Sequence, residues 1–149
     1  MSIMSMAILA MLTFVSCSKD DDDTANDVDK NIIGDWGINK VSDTDLFLER
    51  ISLKSNGSFT ITDYEATGTN LDSGGSISHM EKAEYSGTYT ATNGQLKLSA
   101  NGQSISYSYS VSGSILTLIG SDGSITYDKI DSNIKAIFDS AEQWYQQHK

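Results

Sequence analysis

The chain has 149 residues, a formal net charge of −10 and a single cysteine. Its ten basic residues are outnumbered by twenty acidic ones, and they form no basic patch of the kind that a phosphate backbone requires, which argues against a nucleic-acid partner. The length suits one domain with a substantial hydrophobic core and leaves no room for a second.

The first predicted element is an apolar segment, residues 3–16. It is shorter than the roughly 20 apolar residues of a membrane-spanning helix, but it fits the apolar region of a cleaved secretory signal. The tetrapeptide Phe14-Val15-Ser16-Cys17 resembles a bacterial lipobox, in which the chain is cut before the cysteine and the cysteine is acylated, for example with palmitate. We therefore expect a lipoprotein signal peptide at residues 1–16 and a lipid on Cys17. A buried, unmodified cysteine is the less favourable interpretation, because aspartates follow it.

Residues 17–31 are predicted to form an acidic, disordered tether. Val28 is the one branched aliphatic residue between residues 18 and 30, so this segment cannot bury enough apolar surface to offset the entropy of ordering. The run Asp20–Asp23 resembles the signal that follows the lipidated cysteine of Bacteroidetes-type surface lipoproteins. The resemblance implies a protein anchored by its lipid to the outer membrane and exposed at the cell surface.

From residue 32 to residue 149 the sequence predicts an all-β domain followed by one helix. Pairs such as Asn93-Gly94 and Asn101-Gly102 are strong hairpin signals, and the runs between them alternate apolar and polar residues. Eight consecutively paired strands are the number that closes an antiparallel up-and-down barrel. We expect the strands near 33–41, 47–54, 58–64, 83–91, 95–100, 103–112, 115–120 and 124–130.

The turns also predict how the strands pair. A three-residue loop at residues 55–57 sets Ile51 opposite Ile61, and two-residue loops at the later turns set apolar residues opposite one another. At the last hairpin, a turn of Asp122 and Gly123 pairs Leu118 with Tyr127. These registers give one continuous apolar inner face.

An amphipathic helix is predicted after the last strand. Asp131 or Ser132 is its expected cap, and its apolar stripe consists of Ile134, Ile137, Phe138, Ala141 and Tyr145. The same registers turn Ile115, Ile119 and Ile130 outward, where they form an exposed apolar patch. They also pair Ile115 with Ile130. Because such a patch invites association, we expect the helix to pack against it on the outside of the barrel.

Gly34-Asp35-Trp36 is similar to the Gly-x-Trp motif of lipocalins, whose order of elements is also eight strands and a helix. Bacterial lipoproteins that begin Cys-Ser-Lys-Asp often carry such domains, with Ser-Gly-Thr-Tyr in the fourth strand, here Ser86-Gly87-Thr88-Tyr89. The resemblance covers about residues 31–148. It implies a lipocalin-like barrel in which Trp36 packs structurally across the closed base.

Candidate binding residues lie on the predicted inner face. Its tyrosines offer apolar area with a hydroxyl group at the tip, although they also suit the plain task of filling a small barrel. Two carboxylates oppose each other there and either hold a cationic or hydroxylated ligand or are hydrated at the rim. The loop 65–82 is predicted to be a lid. The candidate ligand contacts are Glu49, Asp63, Tyr85, Tyr89, Tyr107, Tyr109 and Tyr127.

Catalytic patterns are absent from the sequence. His79 and His148 have no evident partner, and there is no nucleophile elbow, phosphate-binding loop or metal-ligand spacing. We therefore expect neither an enzyme nor a cofactor nor a metal site. The leading hypothesis is a lipid-anchored outer-membrane lipoprotein whose barrel binds a small, partly apolar ligand. The alternative is a protein-interaction module with a solid core, either an enzyme inhibitor or an accessory subunit of an outer-membrane complex.

Replacing Cys17 by serine is expected to release the protein from membranes, because serine cannot be acylated and stable anchoring depends on the acyl chains. Membrane fractionation measures this. The control Ser18→Ala keeps the cysteine and should remain with the membrane. Sedimentation of the Cys17→Ser variant with membranes would contradict the lipid attachment.

Overall fold

The computed structural model describes residues 28–149, so the predicted signal peptide, Cys17 and Asp20–Asp23 lie outside the described residues. Eight antiparallel strands pair in sequence order and close into a barrel, with one helix on the outside, which confirms the predicted fold class. The elements are β1 Gly34–Val41, β2 Asp45–Leu53, β3 Ser58–Thr69, β4 Ser76–Thr92, β5 Gln95–Ala100, β6 Gln103–Ser112, β7 Ile115–Gly120, β8 Gly123–Lys129 and α1 Ser132–His148.

The predicted registers of the β2–β3, β4–β5, β5–β6 and β6–β7 hairpins are confirmed. Ile51 lies opposite Ile61, and the later hairpins set apolar residues opposite one another as expected. The β7–β8 register was wrong by two residues, because Gly120 pairs with Gly123 and the turn consists of Ser121 and Asp122. Gly123 has a φ of 128°, which glycine adopts without steric cost. A shift of two keeps every side chain on its predicted face.

The predicted lid at residues 65–82 is wrong, since β3 and β4 continue through most of it and meet at a 3-10 turn, Leu71–Ser73. Gly75 belongs to this tight turn, where an added Cβ would lie 1.9 Å from the Thr69 carbonyl oxygen. The strands continue because Ala66 and Met80, which pair with each other, are buried on the outer face under the helix.

One end of the barrel, which we call the base, is closed by side chains. It carries the β2–β3, β4–β5 and β6–β7 turns. Trp36 is fully buried there, and its indole Nε1 donates a 2.8 Å hydrogen bond to the Ile32 carbonyl oxygen. Ile32 belongs to a short 3-10 turn, Lys30–Ile32, and is also fully buried. Trp36 is thus part of the packing that closes the base.

The folded part of the chain includes Val28, so residues 28–31 are not part of a disordered tether as predicted. Val28 forms a parallel bridge with Ala91 at the base, and the Asp29 amide donates a 2.8 Å hydrogen bond to the Ala91 carbonyl oxygen. The Asp29 carboxylate also accepts a 2.9 Å hydrogen bond from the Tyr109 hydroxyl. These bonds hold a segment whose composition alone does not favour order.

Helix α1 begins after the predicted cap Asp131, which accepts hydrogen bonds from the amides of Asn133 and Ile134, both at 2.9 Å. It packs outside the barrel, as predicted, but on the outer face of β2–β4. Its stripe covers a second apolar cluster there, in which Phe138 is 5% exposed. The barrel residues of this cluster are Leu48, Tyr64, Ala66 and Met80.

The predicted docking of the helix on Ile115 and Ile119 is therefore wrong, since these side chains are 42% and 51% exposed. Ile115 pairs with Asp128 instead of Ile130, and Ile130 joins the cluster under the helix. Gly37 permits the observed approach, since a Cβ there would lie 3.1 Å from a Phe138 ring carbon. The outer patch on β2–β4 is the larger apolar surface, and the helix buries it.

Phe138→Ala is expected to lower the free energy of unfolding by about 3–5 kcal/mol, because the buried ring leaves a cavity. Urea denaturation followed by circular dichroism measures the change. The matched control Ile119→Thr alters an exposed strand residue and should stay within about 0.5 kcal/mol of the parent protein. Equal losses for the two variants would contradict the position of the helix.

Candidate ligand site inside the barrel

The end opposite the base, which we call the open end, is less completely closed by side chains. It carries the β1–β2, β3–β4, β5–β6 and β7–β8 turns. Inward-facing residues near it are only half-buried, in contrast to the buried layer at the base. The half-buried residues include Phe47, Asp63, Tyr85, Ile105 and Ile125.

Glu49 is the one charged side chain classed as buried among the described residues, with 5% of its surface exposed. It projects inward from β2 and lies opposite Asp63 of β3, as the predicted register requires. Its Oε1 accepts a hydrogen bond from the hydroxyl of Tyr127, which is also buried. Asp63 is hydrogen-bonded to Glu49, while the Oδ1 atom of Asp63 is buried without a hydrogen-bond partner.

The two carboxyl groups keep a proton to a higher pH than isolated carboxyl groups do. Burial, the charge of Glu49 and the hydrogen bond to Glu49 raise the pKa of Asp63 from 3.8 to about 7. Burial also raises the pKa of Glu49, although the hydrogen bonds from Tyr127 and Asp63 and the charge of Lys40 act in the opposite direction. Asp63 is thus the protonated member and donates to Glu49.

The structure divides the five candidate tyrosines into two groups. Tyr85, Tyr107 and Tyr127 lie near the carboxyl pair. Burial and, to a smaller extent, the charge of Asp63 raise the pKa of Tyr85. Burial and, to a smaller extent, the charge of Glu49 raise the pKa of Tyr107 to about 12. The other two serve the base. The Tyr89 hydroxyl donates a 2.9 Å hydrogen bond to the Lys54 carbonyl oxygen, and the Tyr109 hydroxyl bonds Asp29.

Four residues with inward parity at the open end were missed by the sequence reasoning. Lys40 and Phe47 pair with each other on β1 and β2, and Glu65 follows Asp63 on β3 and pairs with Glu81 of β4. Extending the strand alternation to the true strand ends would have found all four. The inner face of the open end is therefore acidic, with one lysine.

The histidines and the helix contacts offer no second site. His79 is exposed on β4, 3.4 Å from Glu81, and His148 stacks on Trp144 at the end of α1. A cleft of about 220 Å³ under the helix is lined by charged residues that fasten α1 to the barrel. There Glu142 accepts a 2.8 Å hydrogen bond from Lys82 and another from Tyr64, and these bonds lower the pKa of Glu142 to about 2.

No group of three or more metal-ligating side chains is arranged for a metal ion within residues 28–149. Within the same part of the chain, no helix is long and apolar enough to cross a membrane. Comparison with protein-family models, curated proteins and solved structures finds no match.

Asp63→Asn is expected to remove a pH dependence of stability. A carboxyl group whose pKa rises from 3.8 to about 7 on folding stabilises the folded state below pH 4, and this contribution is lost as the pH rises through 7. We expect the free energy of unfolding of the parent protein to fall by about 1–2 kcal/mol across this range, after discounting for the water that reaches Asp63.

Urea denaturation at several pH values measures this change. Asp63→Asn should flatten the profile and raise stability at alkaline pH, because asparagine carries no charge opposite Glu49. The control is Asp72→Asn in the exposed β3–β4 turn, which should keep the pH dependence. An unchanged profile in Asp63→Asn would contradict the shared proton.

Proposed function

We propose that the protein is a lipid-anchored outer-membrane lipoprotein with a lipocalin-like barrel that binds a small, partly apolar ligand through its open end. The observation that carries this proposal is the Asp63 Oδ1 atom, which is buried among half-exposed inward side chains and lacks a hydrogen-bond partner. A buried acceptor without a donor costs free energy. A ligand that donates a hydrogen bond there removes this cost.

The open end defines the chemistry of the ligand. Phe47, Ile105 and Ile125 present apolar surface, Glu49 and Glu65 supply negative charge, and the Oδ1 atom of Asp63 supplies an acceptor. This combination favours a molecule with an apolar body and one donor group, either an amine or a hydroxyl. An anionic ligand is disfavoured because the inward-facing residues of the open end include more carboxyl groups than lysines.

The base is the end at which a lipid anchor would attach. The described chain begins at Val28, beside Ala91 at the base, and Cys17 precedes it by eleven residues. An acyl group on Cys17 therefore tethers the barrel by its base and leaves the open end free to face away from the membrane. This orientation supports ligand capture at the cell surface.

The alternative is a protein-interaction module, favoured by the exposed Ile115 and Ile119 on the outer face of β7. These residues share one strand, while their paired neighbours Asp128 and Ser108 are polar. The apolar surface is thus a narrow stripe. Ligand binding has the stronger support because it accounts for the buried acceptor.

A pair of matched probes tests the ligand site in the full-length Cys17→Ser protein. Naphthylmethylamine and naphthylacetic acid share one ring system and differ in the sign of their charge. We expect the amine to bind and the acid not to, with the affinity for the amine reduced at least about tenfold in Asp63→Asn. Isothermal titration calorimetry measures both affinities.

Tyr89→Phe is the control for these titrations, because the Tyr89 hydroxyl bonds the backbone at the base and should not affect binding at the open end. Two results would contradict the proposed site. One is the absence of binding for both probes, and the other is amine binding that Asp63→Asn leaves intact.

A further inference from the structure

The barrel is closed between β1 and β8 by a short ladder. Only two residue pairs are formed, Trp36 with Lys129 and Gly37 with Asp128, and one further backbone bond of 2.9 Å joins the Ile130 amide to Asp35 below them. By contrast, the ladder between β2 and β3 is continuous from the pair Asp45–Thr67 to the pair Leu53–Phe59. The upper parts of β1 (38–41) and β8 (123–127), which we call the seam, are therefore not paired with each other.

A side-chain hydrogen bond spans the seam on the inner face of the barrel. Tyr127 of β8 donates to Glu49 of β2, and both side chains are buried. Since Ile38 of β1 pairs with Glu49, this bond reaches past β1 and joins the two strands on either side of it. The hydrogen bond from Asp63 of β3 to Glu49 extends the link by one strand. Side chains thus connect strands across a stretch that has no backbone ladder.

This link depends on the proton that Glu49 and Asp63 share. When Asp63 loses it, Glu49 loses a donor and faces a second negative charge across the strand pair, an arrangement that destabilises a sheet. The facing groups do not balance the charge. They are Lys40 from β1, Glu65 from β3, Tyr85 from β4, Tyr107 from β6 and Tyr127 from β8.

The backbone ladder between β2 and β3 fixes the Cα atoms of the two carboxyl residues, so the charges must be relieved by side-chain movement or by water. If Glu49 turns away from Asp63, Tyr127 loses its acceptor. If Glu49 stays, a buried carboxylate with one remaining donor requires water. Both outcomes act on the seam, where no ladder resists separation.

We propose that loss of the shared proton loosens the seam, so that the barrel interior becomes accessible from the side above neutral pH and is closed there in acid. The structure thereby assigns Glu49, Asp63 and Tyr127 to a proton-controlled opening in the wall. The proposal requires no ligand and is independent of the binding function. Its test is therefore separate from the probe titrations.

Amide hydrogen exchange of the full-length Cys17→Ser protein without ligand tests the opening. Rates are measured at about pH 5 and about pH 8.5 and divided by the intrinsic rates of the unstructured chain. When the seam opens, β1 and β8 become free edges of the sheet. The protection of residues 38–41, which pair with β2, and of residues 123–127, which pair with β7, should therefore fall by about tenfold at the higher pH. Protection of the β2–β3 ladder around Ile51 and Ile61 should not change.

Three variants make the result specific. Asp63→Asn should keep the seam protected at both pH values, because the asparagine amide replaces the proton donor without carrying a charge. Tyr127→Phe should lower protection of the seam at both pH values, since the link is absent. The control Asp72→Asn should behave like the parent protein.

Four results would overturn the proposal. They are equal protection of the seam at both pH values, a pH response that persists in Asp63→Asn, full acid protection in Tyr127→Phe, and a loss of protection at alkaline pH that extends equally to the β2–β3 ladder. The last result would indicate global unfolding instead of a local opening.

Discussion

Because the sheet closes on itself, each strand residue faces either the interior or the outside, and a shift of register by one residue would exchange the two sets. This constraint places Glu49 and Asp63 inside, opposite each other. It also places Tyr64, which follows Asp63 in sequence, outside, where it packs against Phe138 with 6.4 Å between ring centroids. A short stretch of β3 thus serves both the candidate site and the attachment of the helix.

Two apolar clusters stabilise the domain, one inside the barrel and one between the barrel and α1. The inner cluster is densest at the base, around Trp36, so the open end is left with polar and half-buried side chains. The outer cluster under α1 adds apolar contacts on the outer face of β3 and β4, the two longest strands. The helix therefore braces the longest hairpin from outside, and the interior beside this hairpin need not be filled with apolar side chains. A carboxyl pair is tolerable there for that reason.

The barrel, its strand order and most registers could be predicted because turn chemistry and alternation are local signals. The true extent of β3 and β4 was missed because Ser, Gly and Asp between residues 68 and 76 resemble a loop, although the outward residues Ala66 and Met80 continue the strand pattern. The place of the helix could not be derived from Ile115 and Ile119 alone. It depends on comparing all outer apolar patches, and the larger one became visible only with the full hairpin.

The candidate site could likewise be predicted only where its contacts depend on local sequence signals. The register of the β2–β3 hairpin was sufficient to place Glu49 opposite Asp63. It could not show that Tyr127 bonds Glu49, because these two residues lie 78 positions apart in sequence and meet only when the barrel closes. The same closure separates Tyr89 and Tyr109, which bond groups at the base, from the tyrosines at the carboxyl pair. Strand alternation thus determines whether a side chain faces inward. Its distance from the carboxyl pair depends on its position along the barrel axis. A tyrosine on the inner face belongs to the site only when both conditions hold.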